Sequence, residues 1–260
     1  MLKILKYSTY DLLRSRWAYL YLAFFLLFSG GLLYLSGDVS KVVISLMNVI
    51  LILCPLIATM FGVMYYYNSR EFTELLLAQP IRRRTIFWGQ YLGLAISLSV
   101  SLVIGIGIPF VAYGILHGPE TWNFFTLISN GVLLTFIFSG LAFLIGLKNE
   151  NKIRGFGLAI VLWLFFAVVY DGLFLLSLIL FKEYPLEGFS LAATVLNPID
   201  LSRIMILLKL DISALMGYTG AVFQKFLGTA LGMGLSLLTL ALWTGLPVWT
   251  IQRAAKQKDF

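Results

Sequence analysis

The chain has 260 residues, 60% of them hydrophobic and only 12% charged, with a formal net charge of +7 at pH 7. A water-soluble domain carries roughly 45–50% apolar and about 25% charged residues, so this composition excludes a soluble fold. The net positive charge is not a nucleic-acid signal either, because the aromatics that would stack on bases lie within the apolar stretches. A single cysteine, Cys54, and a single histidine, His117, exclude an intrachain disulfide, a CxxC clasp and any multi-histidine metal site.

From the start of the chain, Leu2, Leu5, Leu12, Leu13 and Trp17 recur at near-helical spacing, with Lys3, Lys6, Tyr10 and Arg14 between them. The pattern predicts an amphipathic helix lying at a membrane interface, the alternative being an extension of the first span. Six apolar stretches follow, at 17–36, 42–66, 86–116, 124–147, 155–181 and 227–249. Crossing the hydrocarbon takes roughly 20 apolar residues as helix, since each backbone polar group must be satisfied within its own segment. The stretches are too long and too unbroken for transmembrane strands, which alternate over about ten residues. The first is too long for a signal-peptide core and has no small-residue cleavage site, so it reads as a retained span.

Lys and Arg set the orientation. Fourteen of the 19 basic residues fall before the first span or after the second, fourth and sixth. The opposite segments hold Lys41, Lys182, Arg203, Lys209 and Lys225 against six acids. By the positive-inside rule both termini are expected in the cytoplasm.

The second and third spans are joined by NSREFTELLLAQPIRRR, residues 68–84. Ser69 is placed to cap a short helix with Glu71 and Glu74 in its early turns, Leu75, Leu76 and Leu77 as an apolar face, and Pro80 at its end. Such a helix is too short to cross a bilayer, so its apolar face needs a soluble partner or the membrane surface. The third span carries Gly105, Gly107 and Pro109, which predicts a bend and freed backbone carbonyls. Short turns are expected at 117–122 and 148–154.

Asp171 is the one carboxylate deep in a predicted span, where a charge costs a few kcal/mol unless paired or hydrated. It reads either as a functional group or as a side chain that is protonated or hydrogen-bonded at a helix interface or near the external end of a tilted fifth span. The segment 182–226 is the longest outside the membrane, and within it Asn197, Pro198 and Asp200 are expected to begin a surface helix carrying Leu201, Ile204, Met205, Leu207 and Leu208 around Arg203 and Lys209. There is no GxxxxGK[ST] motif, HExxH or nucleophile motif, so no catalytic residue is assigned. Met47 and Cys54 share a helix face, but Met60 and Met64 rotate to another, which leaves a copper cluster incomplete. No internal repeat or second soluble domain interrupts the chain, so 1–260 reads as one all-α membrane domain.

Two blocks carry a family resemblance: LLLAQPIRRRTIFWGQYLGL at 75–94, and LNPIDLSRIMILLKLD followed by ALMGYTGAVF within 196–223. With six spans and an amphipathic helix before the first, the chain resembles the type-2 ABC exporter permeases, and among them those that serve maturation of nitrous oxide reductase. Where many relatives open the short helix on a Glu-rich, Gly-Thr stretch, this chain has Arg70, Glu71, Phe72 and Thr73.

The resemblance implies a multi-pass subunit of a bacterial inner membrane that works as a homodimer and has no cofactor of its own. It further implies a separate cytoplasmic ABC ATPase that binds ATP and Mg. The residues expected at that ATPase are Arg70, Glu71, Phe72, Glu74, Leu75, Leu76, Leu77, Gln79 and Pro80, in a coupling helix. A periplasmic β-helical protein that handles copper is expected at Asn197, Asp200, Arg203 and Lys209. The resemblance leaves two rivals: an exporter of another cargo, such as a lipid, peptide or drug, and an ion-coupled carrier using Asp171.

Overall fold

The structure, a computed structural model, describes residues 2–36, 38–115, 121–184, 186–210 and 217–257. Residues 117–120 of the expected 117–122 turn, with His117 and Glu120, lie outside the described residues, as do Asp211, Met216 and Lys258. Six of the described helices are long and apolar enough to span a membrane. They are α2 (Arg16–Ser36), α3 (Val39–Asn68), α5 (Arg83–Ala112), α6 (Thr121–Lys148), the composite span Lys152–Leu180, and the last helix, α12 (Ala230–Gln257). Shorter helices flank them: α1 (Leu2–Leu13) before the first span, α4 (Arg70–Leu77) between the second and third, and α9 (Glu187–Leu196), α10 (Pro198–Lys209) and α11 (Gly217–Leu227) between the fifth and sixth. The architecture is all-α.

Burial ranks the spans. In α3, α5 and α6, 56% of the apolar window is buried, against 6% in the fifth span, so the first three form the centre and the fifth lies at the rim. α3 packs along α6, α2 lies along α5, and α12 leans on α6. Without a hydrophobic drive between helices in lipid, close approach at small residues does much of this work. An ideal Cβ on Gly62 of α3 would stand 2.5 Å from Ala142 Cβ of α6, so only glycine lets these two helices meet at that distance.

The same device explains α1. Ideal Cβ atoms on Gly89 and Gly93, one turn apart on α5, would stand 2.7 Å from Ile4 Cγ2 and 2.5 Å from Ser8 Cβ. The buried line of α1 is therefore Ile4 and Ser8, while Leu2 and Trp17, expected on its apolar face, are exposed. Ser97 Oγ adds a hydrogen bond to Thr9 O at 3.2 Å. α1 is a separate helix docked into a groove of α5, ended at Leu13 and followed by α2 from Arg16.

The third span runs as helix through Gly105, Gly107 and Pro109. Proline at 109 has no N–H to offer the carbonyl four residues back. That carbonyl, Gly105 O, accepts from Ser29 Oγ of α2 at 3.3 Å. The freed acceptor expected from sequence is present, and the first span satisfies it.

Helix starts follow local chemistry. Asp38 Oδ1 accepts from Ser40 N–H to cap α3, and Asn151 Oδ1 accepts from Ile153 N–H to start the fifth span at α7 (Lys152–Leu164). The fifth span is not one regular helix. A π turn, Phe165–Val169, joins α7 to α8 (Tyr170–Leu180).

The segment between the fifth and sixth spans differs most from expectation. α10 is capped by Asn197, whose Oδ1 accepts from Ile199 N–H at 3.0 Å, with Pro198 in the first turn, as its sequence predicts. It is not a surface helix. Every residue from Pro198 to Leu208 except Arg203 is buried, because α10 packs among α6, α3, α12 and α11. α9 and α10 form a hairpin bent by 113°, the geometry of a broken span or a re-entrant loop. A helix apolar on most of its circumference has to be enclosed.

Candidate functional site

Two groups of sequence-selected residues lie at opposite ends of the bundle. At the end carrying α1, α4 projects between α3 and α5. Ser69 does not cap it with its side chain: the backbone there has φ −90° and ψ 8°, and Ser69 Oγ donates to Tyr66 O at 3.3 Å instead. α4 is continuous in hydrogen bonding with α3, since Thr73 N–H donates to Ser69 O at 2.9 Å.

The three leucines also do not form one face, because successive helical residues are about 100° apart. Phe72, Thr73, Leu76 and Leu77 turn toward the protein and are buried or half-buried. Glu71, Glu74, Leu75 and Ala78, at helical spacings of three and four, turn outward with Gln79 and Pro80 beyond them. Leu75 is 68% exposed. Arg70 Nε donates to Glu74 Oε1 at 3.0 Å along the helix, an exposed pair worth about 0.3–0.5 kcal/mol. The outward face therefore offers an apolar knob, Leu75, edged by Glu71 and by the Arg70–Glu74 pair.

The inward face is tied to two other elements. Phe72 stacks on Tyr7 of α1, ring centroids 5.0 Å apart at 29°. Thr73 Oγ1 accepts from Gln90 Nε2 of α5 at 2.8 Å while donating to Ser69 O at 2.7 Å. Gln90 is fully buried, so its amide holds α4 from within the bundle. Sequence reasoning did not single out Tyr7 or Gln90. Gln90 carried a signal, an amide inside an apolar run; Tyr7 carried none that periodicity exposes.

At the opposite end, the structure brings Asp171, Asn197, Asp200 and Arg203 together. Arg203 Nη1 donates to Asp171 Oδ2 at 2.9 Å and lies 3.1 Å from Asp200 Oδ1. Asn197 Nδ2 donates to Asp200 Oδ2 at 2.7 Å and to Phe166 O at 3.0 Å. The π turn accounts for the last bond. Tyr170 N–H reaches back five residues to Phe165 O, and such a shift leaves the next carbonyl, Phe166 O, without its usual helical donor.

Two further bonds satisfy the carbonyl end of α9: Tyr170 Oη donates to Ala193 O at 2.7 Å and Trp243 Nε1 to Val195 O at 3.2 Å. The fifth span, the hairpin and the sixth span are thus joined by a polar network.

This geometry corrects the surface role expected for two residues. Asn197 has no exposed area, Asp200 has 7%, and the polar atoms of both face the network. Neither can meet a separate protein across this surface. Lys209 is exposed and lies in the last turn of α10, where a cation favours the helix dipole. Asp171 is not deep in the bundle: it begins α8 beyond the π turn, about a third exposed and paired. The methionine and cysteine positions do not converge on an open site. Met47 and Cys54 are core residues, with Cys54 Sγ 3.3 Å from Tyr21 Oη.

The fold and these two ends define a polytopic all-helical membrane protein, with an outward-facing short helix between its second and third spans. The chain is similar to the probable ABC transporter permease protein NosY of Stutzerimonas stutzeri, 27% identical over 254 residues, and to that of Pseudomonas aeruginosa, 28% identical over 255 residues. Each alignment covers 90% of this chain and 90% of the relative, so the likeness spans the whole bundle. No protein-family model matches the chain.

Proposed function

We propose that the chain is the membrane subunit of an ABC transporter, in which α4 is the coupling helix seated in a groove of a separate cytoplasmic ATPase. The observation that carries the reading is the two-sided build of α4. Its outer face leaves Leu75 exposed among Glu71, Glu74 and Arg70, while Phe72 and Thr73 hold its inner face to α1 and α5. A partner that grips Leu75 therefore moves the ends of α3 and α5 and the start of α1 together. An apolar knob in a pocket, with charges at the rim, resists displacement better than exposed ion pairs alone.

On this reading the subunit works as a homodimer in a bacterial inner membrane, with both termini cytoplasmic. ATP and Mg are bound by the ATPase. The relatives' name supports the permease role; the finer assignment, copper-site maturation of nitrous oxide reductase with a periplasmic copper-handling protein, is what the family resemblance of the two sequence blocks implies. The burial of Asn197 and Asp200 leaves Arg203, part-exposed and paired with two carboxylates, and Lys209 as the contacts to that protein. The spans supply few soft or acidic groups, so the subunit transmits motion and does not conduct copper.

The test is co-purification. A tagged chain is expected to bring down an ABC ATPase, and Leu75→Asp to release it while the permease stays folded. Loss of one buried apolar anchor and burial of a charge in its place costs several kcal/mol, a reduction in affinity of more than about a hundredfold. Undiminished capture by Leu75→Asp sinks the coupling assignment.

A further inference from the structure

Beside the Asp171–Arg203–Asp200 network is a cavity of about 290 Å³, lined by those three residues with Phe174, Leu178 and Phe223 among others. Next to it, sharing Phe174, lies a groove of about 380 Å³ between α8 and α9. Phe174 stacks on Phe189 across it, centroids 6.3 Å apart. The polar groups that line the groove are already used: Tyr170 Oη donates to Ala193 O, and Ser177 Oγ donates to Phe174 O at 2.6 Å. The groove therefore presents hydrocarbon to whatever fills it, and the adjoining cavity presents charge.

Depth identifies the surroundings. Asp171 stands 19 residues beyond Lys152, roughly 28 Å along the helix at 1.5 Å per residue. The hydrocarbon core is about 30 Å thick. A span entering the core near Lys152 brings Asp171 to the far edge of the hydrocarbon, where phospholipid headgroups begin, with the apolar groove alongside it.

Charge selects the headgroup. Two carboxylates face one guanidinium, so the cavity is short of one positive charge and repels a bare anion. Asp200 is enclosed, whereas Asp171 is about a third exposed and is the carboxylate a ligand can reach. Both ion pairs of Arg203 use Nη1. Among the described residues its Nη2 and Nε meet no acceptor, and these remain to donate to a phosphate.

We propose that this paired pocket binds one phospholipid whose headgroup carries a primary ammonium, as phosphatidylethanolamine does. The ammonium lies on Asp171, the phosphate on the unspent donors of Arg203, and an acyl chain in the Phe174–Phe189 groove. The site joins the fifth span to the α9–α10 hairpin through a lipid and is independent of how α4 is coupled.

The test is native mass spectrometry of the full-length chain with phosphatidylethanolamine, phosphatidylcholine and phosphatidylglycerol of matched acyl chains. The first is expected to be retained about tenfold over the other two, since a primary ammonium donates charge-assisted hydrogen bonds that the trimethylated headgroup cannot. Asp171→Asn is expected to abolish the preference, and Phe174→Trp, which fills the shared wall, to lower retention of all three. Equal retention by the unaltered chain overturns the proposal without reference to any variant, as does strongest retention of phosphatidylglycerol. Survival of the preference in folded Asp171→Asn also overturns it.

Discussion

Replacing Arg203 by methionine removes the guanidinium that lies between Asp171 and Asp200 and keeps most of the side-chain volume. Both carboxylates are left without their cation, Asp171 about a third exposed and Asp200 about a tenth. Removing one partner of a buried pair costs about 3–5 kcal/mol. Solvent at Asp171 reduces its share, so the expected loss is about 2–4 kcal/mol of the stability of the unit built from α8, α9 and α10. The triple change Asp171→Asn, Asp200→Asn, Arg203→Met removes the whole charge set and is expected to recover most of that loss, because amides at both positions still hydrogen bond. Denaturant titration in detergent measures the stability, and hydrogen exchange along α10 localises it. Arg203→Met as stable as the unaltered chain, or a triple variant no better than the single one, refutes the view that the carboxylates depend on this guanidinium.

Three further outcomes follow from the packing. Ser29→Ala strips the donor from Gly105 O and is expected to cost about 1 kcal/mol; in the Pro109→Ala background, where residue 109 regains its N–H, the same change costs close to nothing, a coupling that a double-mutant stability cycle reads. Gly93→Val drives a side chain into Ser8 and is expected to cost about 1–3 kcal/mol, with α1 released from α5. Limited proteolysis near Ile4 detects that release, and unchanged cleavage counts against the groove. Phe72→Ala breaks the stack on Tyr7, a contact worth about 1 kcal/mol beyond burial; the complex is expected to keep its ATPase but lose dependence of permease conformation on ATP, followed by fluorescence from a probe on α1.

The six spans were legible because a bilayer demands long uninterrupted apolar helix, and nothing else in the chain competes with that signal. Pro198 in the first turn and Asn197 as cap of α10 were legible for an equally local reason. What was not legible depended on contacts distant in sequence. The same pattern that suits a docked surface helix suits one enclosed in the bundle, and only the packing of α10 among α3, α6 and α12 tells them apart. The π turn at 165–169 has no Gly or Pro to announce it. Its partner, the Asn197 amide, comes 31 residues later. In α4 the leucine triplet suggested a single face, yet geometry gave Leu75 to the outside and Leu76 and Leu77 to the inside.

On the proposed function, Leu75 faces the cytoplasm and lies under an ATPase. Cys54 is buried in the core, so Leu75→Cys introduces an exposed thiol whose labelling can be followed with a membrane-impermeant reagent. In inside-out vesicles stripped of the ATPase the account predicts rapid labelling at position 75, and protection when the ATPase is restored. Labelling from the outside of intact cells, or equal labelling with and without the ATPase, contradicts it.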